Sequence, residues 1–146
     1  DASQAQTRFV SHTEVAVEGI RMEDARIVIT GGRGLGSSEA FDDLTKLAGM
    51  TGGAVGATRA AADSEYCGQD IMIGITGRVV SPEVYLAIAL SGASQHMAGC
   101  SGSKNIVAIN RDPEANIFKE SRFGVVGDYQ QVLPAFIEEL ENLGTA

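Results

Sequence analysis

RIVITGGRGLGSSEAFDDLTKLAGM, residues 26–50, reads as a strand, a glycine loop and a helix in immediate succession. RIVIT (26–30) is a short β-branched apolar run suited to a buried strand. GGRGLG (31–36) permits a tight turn, and SSEAFDDLTKLAGM (37–50) repeats its apolar residues at helical spacing. Ser37 or Ser38 is expected to cap that helix, with Glu39, Asp42 and Asp43 near its positive end.

The same alternation continues along the chain. Gly52-Gly53 should stop the helix, AVGAT (54–58) is the next strand, and RAAAD (59–63) opens another short helix. IMIGITG (71–77) is apolar with interspersed glycine. VYLAIAL (84–90) is read as a strand, although Ser81-Pro82 before it suits a helix start equally well. SGASQHMAG (91–99) is a turn followed by a short helix, and NIVAIN (105–110) is a buried strand. RDPEANIF contains a turn, RFGVVGD (122–128) is the last strand, and Val132, Leu133, Phe136, Ile137 and Leu140 mark a closing helix over about 129–142. Five or six apolar runs interleaved with helices predict an α/β fold: a doubly wound, mainly parallel sheet with helices on both faces. Residues 1–24 are polar and mixed in charge, and are read as a linker or the tail of a preceding domain, with one domain over 25–146.

Composition narrows the function. In 146 residues, 44% hydrophobic and only 5% aromatic with 18 glycines, there is room for one core built from small and β-branched side chains. A net charge of -8 argues against nucleic acid and anionic membrane as partners, because both need a basic face. Any bound phosphate must therefore be held locally. Cys67 and Cys100 lack metal-ligand or CxxC spacing, so no metal site is expected and a reducing compartment fits. No apolar run is long enough to span a bilayer, and DASQAQTRFV lacks the features of a signal peptide, so a cytoplasmic or organellar protein without membrane insertion is expected.

In a doubly wound sheet ligands bind at the carboxyl ends of the strands, and the glycine-rich or polar stretches of this chain fall there. GGRGLG departs from the GxGxxG dinucleotide fingerprint, since after Gly32 and Gly34 the third glycine comes at 36. It is either a close phosphate approach with Arg33 adding a charge-assisted contact, or a tight strand-to-helix turn. Ser91-Gly92 is a second candidate phosphate site, and two on one edge suggest a pyrophosphate. GCSGSK (99–104) lacks the spacing of a phosphate loop, which removes nucleoside triphosphate hydrolysis. Asp128 either takes ribose hydroxyls or caps the helix that follows it. His96 on its short helix is by default a surface or core residue.

Taken in order, ITGGRGLGSSEAF, AVGATRAAAD, ITGRVVSPEVYLAIALSGASQHMAG, IVAINRDPEANIF and GVVGD closely resemble the C-terminal FAD-binding domain of electron transfer flavoprotein alpha subunits. The resemblance covers residues 25 to about 142, and SGxxQHxAG together with NxDPxAxIF is its most specific part. It implies a fold similar to the nucleotide-binding domains of thiamine-diphosphate enzymes, with FAD extended across the sheet edge. It puts Arg33, beside Gly34, and Ser91, beside Gly92, at the diphosphate, and Asn110 and Asp128 toward the adenosine end. Thr58, Arg59, Thr76 with Gly77, and His96 fall at the flavin end: Thr76 within reach of N5 and O4, Arg59 over the ring, His96 near O2 and Gln95 close by. A positive or hydrogen-bonding group near N1 and O2 favours the one-electron-reduced flavin anion, the role the resemblance gives His96 and Arg59.

The resemblance also implies a carrier with no catalytic residue of its own. Electrons would come from flavin dehydrogenases of the acyl-CoA dehydrogenase type and pass to a quinone reductase or another acceptor. Some relatives bifurcate electrons instead, and a non-redox adenine-nucleotide module is the rival of another class. The family partner is a beta subunit, and the compartment is the bacterial cytoplasm or the mitochondrial matrix. Two departures stand out. Ile75 and Met72 replace glutamines common in the family, and this chain holds at most the tail of the family's N-terminal domain, so a domain or fragment is expected.

Overall fold

The computed structural model describes residues 20–144. Five strands, β1 (Ile27–Gly31), β2 (Ala54–Ala57), β3 (Val84–Ile88), β4 (Asn105–Asn110) and β5 (Phe123–Val126), form one sheet in the order β2-β1-β3-β4-β5. Every pairing is parallel, with Thr30 opposite Gly56 and Ala87, and Ile88 opposite Ile109. Parallel neighbours need crossovers, which here carry α1 (Ala40–Thr51), α2 (Arg59–Asp63), α3 (Ser94–Met97) and α4 (Ile117–Glu120); α5 (Tyr129–Gly144) closes the chain. The direction of winding reverses between β1 and β3, the switch point where a crevice opens at the strands' carboxyl ends.

Strand alternation divides the core in two. Ile29, Leu86, Ile88 and Ile109 face α1 and α5, meeting Phe41, Leu44, Leu47, Leu133 and Ile137. Val28, Tyr85, Ala87 and Ala108 face the other way, onto Met97, Cys100, Ile117 and Ile73. Both faces of β1, β3 and β4 are covered, as the doubly wound reading requires, whereas the edge strand β5 is exposed along its length. Burial pushes the Cys100 thiol up to about 11, so it stays a neutral packing group.

The sequence expectations hold for all five strands and differ in detail elsewhere. Neither Ser37 nor Ser38 caps α1 with its side chain: Glu39 occupies the N-cap position without a side-chain bond, and the chain enters through a backbone turn in which Phe41 N donates to Ser38 O at 3.1 Å. Gly52 ends α1 at φ 67°, with Gly53 N donating to Ala48 O. The apolar run 71–77 is a loop making isolated bridges, Ala57 with Met72 and Ile73 with Arg78, because Gly74 at φ 150° turns the chain. A short helix, α4, follows the Asp112-Pro113 turn, where a turn alone is expected. Of the segment read as a linker, residues 1–19 lie outside the described residues, while Met22 is buried against the Val28 face.

Candidate functional site: a two-chambered groove at the strand ends

The strands' carboxyl ends open into a cavity of about 740 Å3, which shares Arg33, Gly34, Ala89, Asn110 and Arg111 with a second cavity of about 550 Å3. Sheet pairing places these residues: β1 delivers the Arg33–Leu35 turn, β4 ends at Asn110, and β3 between them ends at Ile88 and leads into Ala89. Gly32 N donates to Ile88 O and Gly34 N to Ala89 O, so the glycine loop lies flat on the end of β3. A Cβ at Gly34 would stand 2.7 Å from Ala89 O, closer than any side chain tolerates. Ala89 itself takes φ 54°, a left-handed conformation that disfavours a Cβ.

Ten of the twelve residues expected at the site line the larger cavity, Arg33, Gly34, Thr58, Arg59, Thr76, Ser91, Gly92, Gln95, His96 and Asn110, and Asp128 lines the smaller one. Gly77 lines neither. Its role is local: a Cβ there would lie 2.3 Å from Met72 O, so only glycine fits the turn. Gly92 has φ 81° and packs against the start of α4, where its Cβ would meet Ile117 N at 2.6 Å.

Several of these side chains already have internal partners. Thr58 Oγ1 accepts from Ala61 N at 3.2 Å and caps α2. Arg59 pairs with Asp63 at 3.4 Å along the same helix, and such an exposed pair is worth only about 0.3–0.5 kcal/mol, so the guanidinium is easily released to a ligand. Asn110 braces two strand ends: its Nδ2 donates to Leu90 O at 2.8 Å and its Oδ1 accepts from Asp112 N. Asp128 Oδ1 accepts from Gln130 N at 3.0 Å, which makes it a helix cap, yet a carboxylate has about four acceptor positions and others remain for the groove.

His96 is 6% exposed, and both ring nitrogens are engaged inside the protein. Nδ1 lies 3.0 Å from Ile73 O, an atom that only accepts, so Nδ1 carries the proton. Nε2 lies 2.7 Å from the Tyr85 hydroxyl. Burial holds the Tyr85 phenol well above its ordinary pKa, so it stays protonated and donates to Nε2. Burial also lowers the His96 pKa against a smaller opposing effect of the Ile73 bond, which makes the neutral ring the stable form. The resemblance puts His96 near flavin O2; in this geometry both of its ring nitrogens have partners inside the protein.

Arg111 was not singled out from sequence. It lines both cavities from the end of β4, is exposed, and, like Arg33, has no ion-pair partner among the described residues. Its signal was available, an arginine directly after a strand. Ile75, 69% exposed and lining the larger cavity, puts an apolar side chain among Thr76, Gln95 and Arg59. Among the described residues no group of three metal-ligating side chains occurs, and no helix is long and apolar enough to cross a membrane.

A parallel doubly wound sheet with a long groove at its switch point, carrying Arg33 and Arg111 at its middle, defines a nucleotide-cofactor-binding domain. The family model described as "Electron transfer flavoprotein FAD-binding domain" matches residues 21–101, and the chain belongs to that family. It is 50% identical over 126 residues to the electron transfer flavoprotein subunit alpha of Bacillus subtilis, covering 86% of this chain and 39% of that protein. It is 47% identical over 140 residues to the mitochondrial alpha subunit of Arabidopsis thaliana, covering 96% and 39%. With the Paracoccus denitrificans alpha subunit the identity is 51% over 119 residues, covering 82% and 39%. The chain thus spans about two-fifths of the length of these curated relatives.

The cofactor of the family's domain is FAD, and the groove fits it. Two chambers joined at two arginines that have no ion-pair partner among the described residues suit an extended dinucleotide with its phosphates in the middle. One end mixes apolar Ile75 and Met72 with Thr76 and Gln95, a lining that suits a ring system with polar edges, and the other is lined by Asn110 and Asp128, side chains with polar atoms that suit hydroxyl groups.

Proposed function

We propose that the chain holds FAD along the groove and that the protein to which it belongs carries electrons between flavin dehydrogenases, of the acyl-CoA dehydrogenase type, and a quinone reductase or similar acceptor. The observation that carries this reading is the meeting of the two chambers at Arg33 and Arg111 in a domain of an FAD-binding family.

Each residue then has a task. Arg33 and Arg111 neutralise the diphosphate, with the Ser91 hydroxyl beside them. Asn110 and Asp128 take the adenosine end through the donor and acceptor positions left after their internal bonds. Thr76, Gln95 and Thr58 meet the polar edge of the ring, Arg59 leaves Asp63 to bring positive charge to it, and Ile75 excludes water there. His96, neutral and protonated at Nδ1, acts through packing and position, so the positive charge at this end falls to Arg59. Bound FAD supplies one-electron transfer, which no side chain of this chain can.

A beta subunit as partner, and a place in the bacterial cytoplasm or mitochondrial matrix, complete the proposal; the relatives' names span both kinds of source. The experiment is anaerobic stepwise reduction of the purified chain with FAD, followed by absorption. Bound flavin reduced in two separate one-electron stages is the expected result. A chain that binds adenine nucleotides but not FAD would overturn the proposal.

A further inference from the structure

Tyr85 has no place in the groove, yet among the described residues it is the largest fully buried side chain, and its hydroxyl bonds His96, which lines the larger cavity. From Tyr85 in the middle of β3 a line of bonds runs outward: the hydroxyl to His96 Nε2 at 2.7 Å, then His96 Nδ1–H to Ile73 O at 3.0 Å. Ile73 opens the loop that brings Ile75 and Thr76 to the cavity wall. We infer that Tyr85 is a positioning residue for the flavin end of the groove: it fixes His96 as the Nδ1–H tautomer, and His96 ties the 73–77 loop to the sheet.

The loop depends on that tie because it has no strand partner of regular length. Ile73 anchors the near end of the loop through its buried side chain and through Ile73 N to Ala57 O. Bonds of Gly74 N to Arg78 O, Gly77 N to Gly74 O and Arg78 N to Met72 O close the turn on itself, and beyond Ile73 the backbone bond that reaches a neighbouring element is Ile75 N to Gln95 O. Gly74 and Gly99 are in backbone contact, where a Cβ on Gly99 would lie 2.4 Å from Gly74 N, so His96, three residues before Gly99, sits under the same turn. A carbonyl accepts only from a nitrogen that carries hydrogen, and a donor at Nε2 selects the tautomer that keeps that hydrogen on Nδ1. Phenylalanine at position 85 would fill nearly the same space but leave Nε2 buried without a partner, so the ring would lose its reason to hold this orientation. The placing of Thr76 at the flavin rests on the reading given above; the tie itself does not.

The test uses the full chain, 15N-labelled, with and without FAD. In the wild type, long-range proton–nitrogen correlation is expected to show His96 protonated at Nδ1 and bare at Nε2. In Tyr85→Phe the Nε2 resonance should move toward that of a free acceptor. Amide exchange at Gly74 and Ile75 should rise at least tenfold while Ile29 in β1 is unchanged, and the potential of bound FAD should shift. A wild-type His96 protonated at Nε2 overturns the inference, and so does a Tyr85→Phe protein in which exchange at Gly74 and Ile75 rises no more than at Ile29. Should Tyr85→Phe not fold, the wild-type tautomer decides alone. Failure of FAD to bind the wild type would count against the groove, whereas tautomer and exchange in the FAD-free chain still decide the tie.

Discussion

Gly34 N donates to Ala89 O at 3.1 Å, and a Cβ on Gly34 would stand 2.7 Å from that same oxygen. The contact joins the glycine loop after β1 to the end of β3 and sets the floor where the two chambers meet. Because the obstacle is backbone, Gly34→Ala must lift the loop. We expect a loss of about 1–3 kcal/mol of stability, read by urea unfolding, together with weaker FAD binding.

Ala89 presents the opposite case. Its φ of 54° costs roughly 1–2 kcal/mol for a residue with a Cβ, while glycine there would add back part of that through unfolded-state entropy. Ala89→Gly should therefore raise the urea midpoint, by about 0.5–1 kcal/mol, without altering the slope of the transition. A lower midpoint would show that the alanine methyl packs better than its backbone conformation suggests.

Arg33→Gln and Arg111→Gln separate the diphosphate from the rest of the cofactor. Each removes a charge-assisted contact worth about 1.5–3 kcal/mol, so each should weaken FAD by about tenfold or more and reduce the salt dependence of binding. Riboflavin, which has no phosphate, should bind both variants as it binds the wild type. Flavin fluorescence titrations at two salt concentrations distinguish these outcomes.

The buried neutral His96 makes stability depend on pH. Burial places its folded pKa below the ordinary 6.5, so between the two values the unfolded chain binds more protons. Stability is complete above about 6.5 and declines as pH falls toward the folded pKa. Glu23 and Glu83, held low by bonds to Arg78 and Arg26, add their own loss only below the ordinary carboxylate pKa of 4.5. Urea midpoints from pH 8 to 5 should fall for the wild type, and the fall should be smaller for His96→Phe.

The strands were legible because each is a short apolar run closed by glycine or a polar residue, and parallel pairing follows from the helices between them. The glycine loop, Ser91 and Asn110 were legible as strand-end residues in a fold that binds ligands at that edge. Two kinds of residue were not legible. Gly77 read as part of the site, but its glycine is required by Met72 O, a contact between residues five apart in a loop with no regular pattern. Ala89 carries no sign in the sequence that it adopts a left-handed conformation.

By itself the sequence determined the order of elements, the sheet edge at which the groove lies and, through its motifs, the family, since all three depend on local patterning and spacing. Only the tertiary structure decided what His96 does. Tyr85 and Ile73 reach it from 11 and 23 residues away, and whether a histidine offers its nitrogens to a ligand or spends them on the protein depends on what the fold brings within 3.0 Å of them.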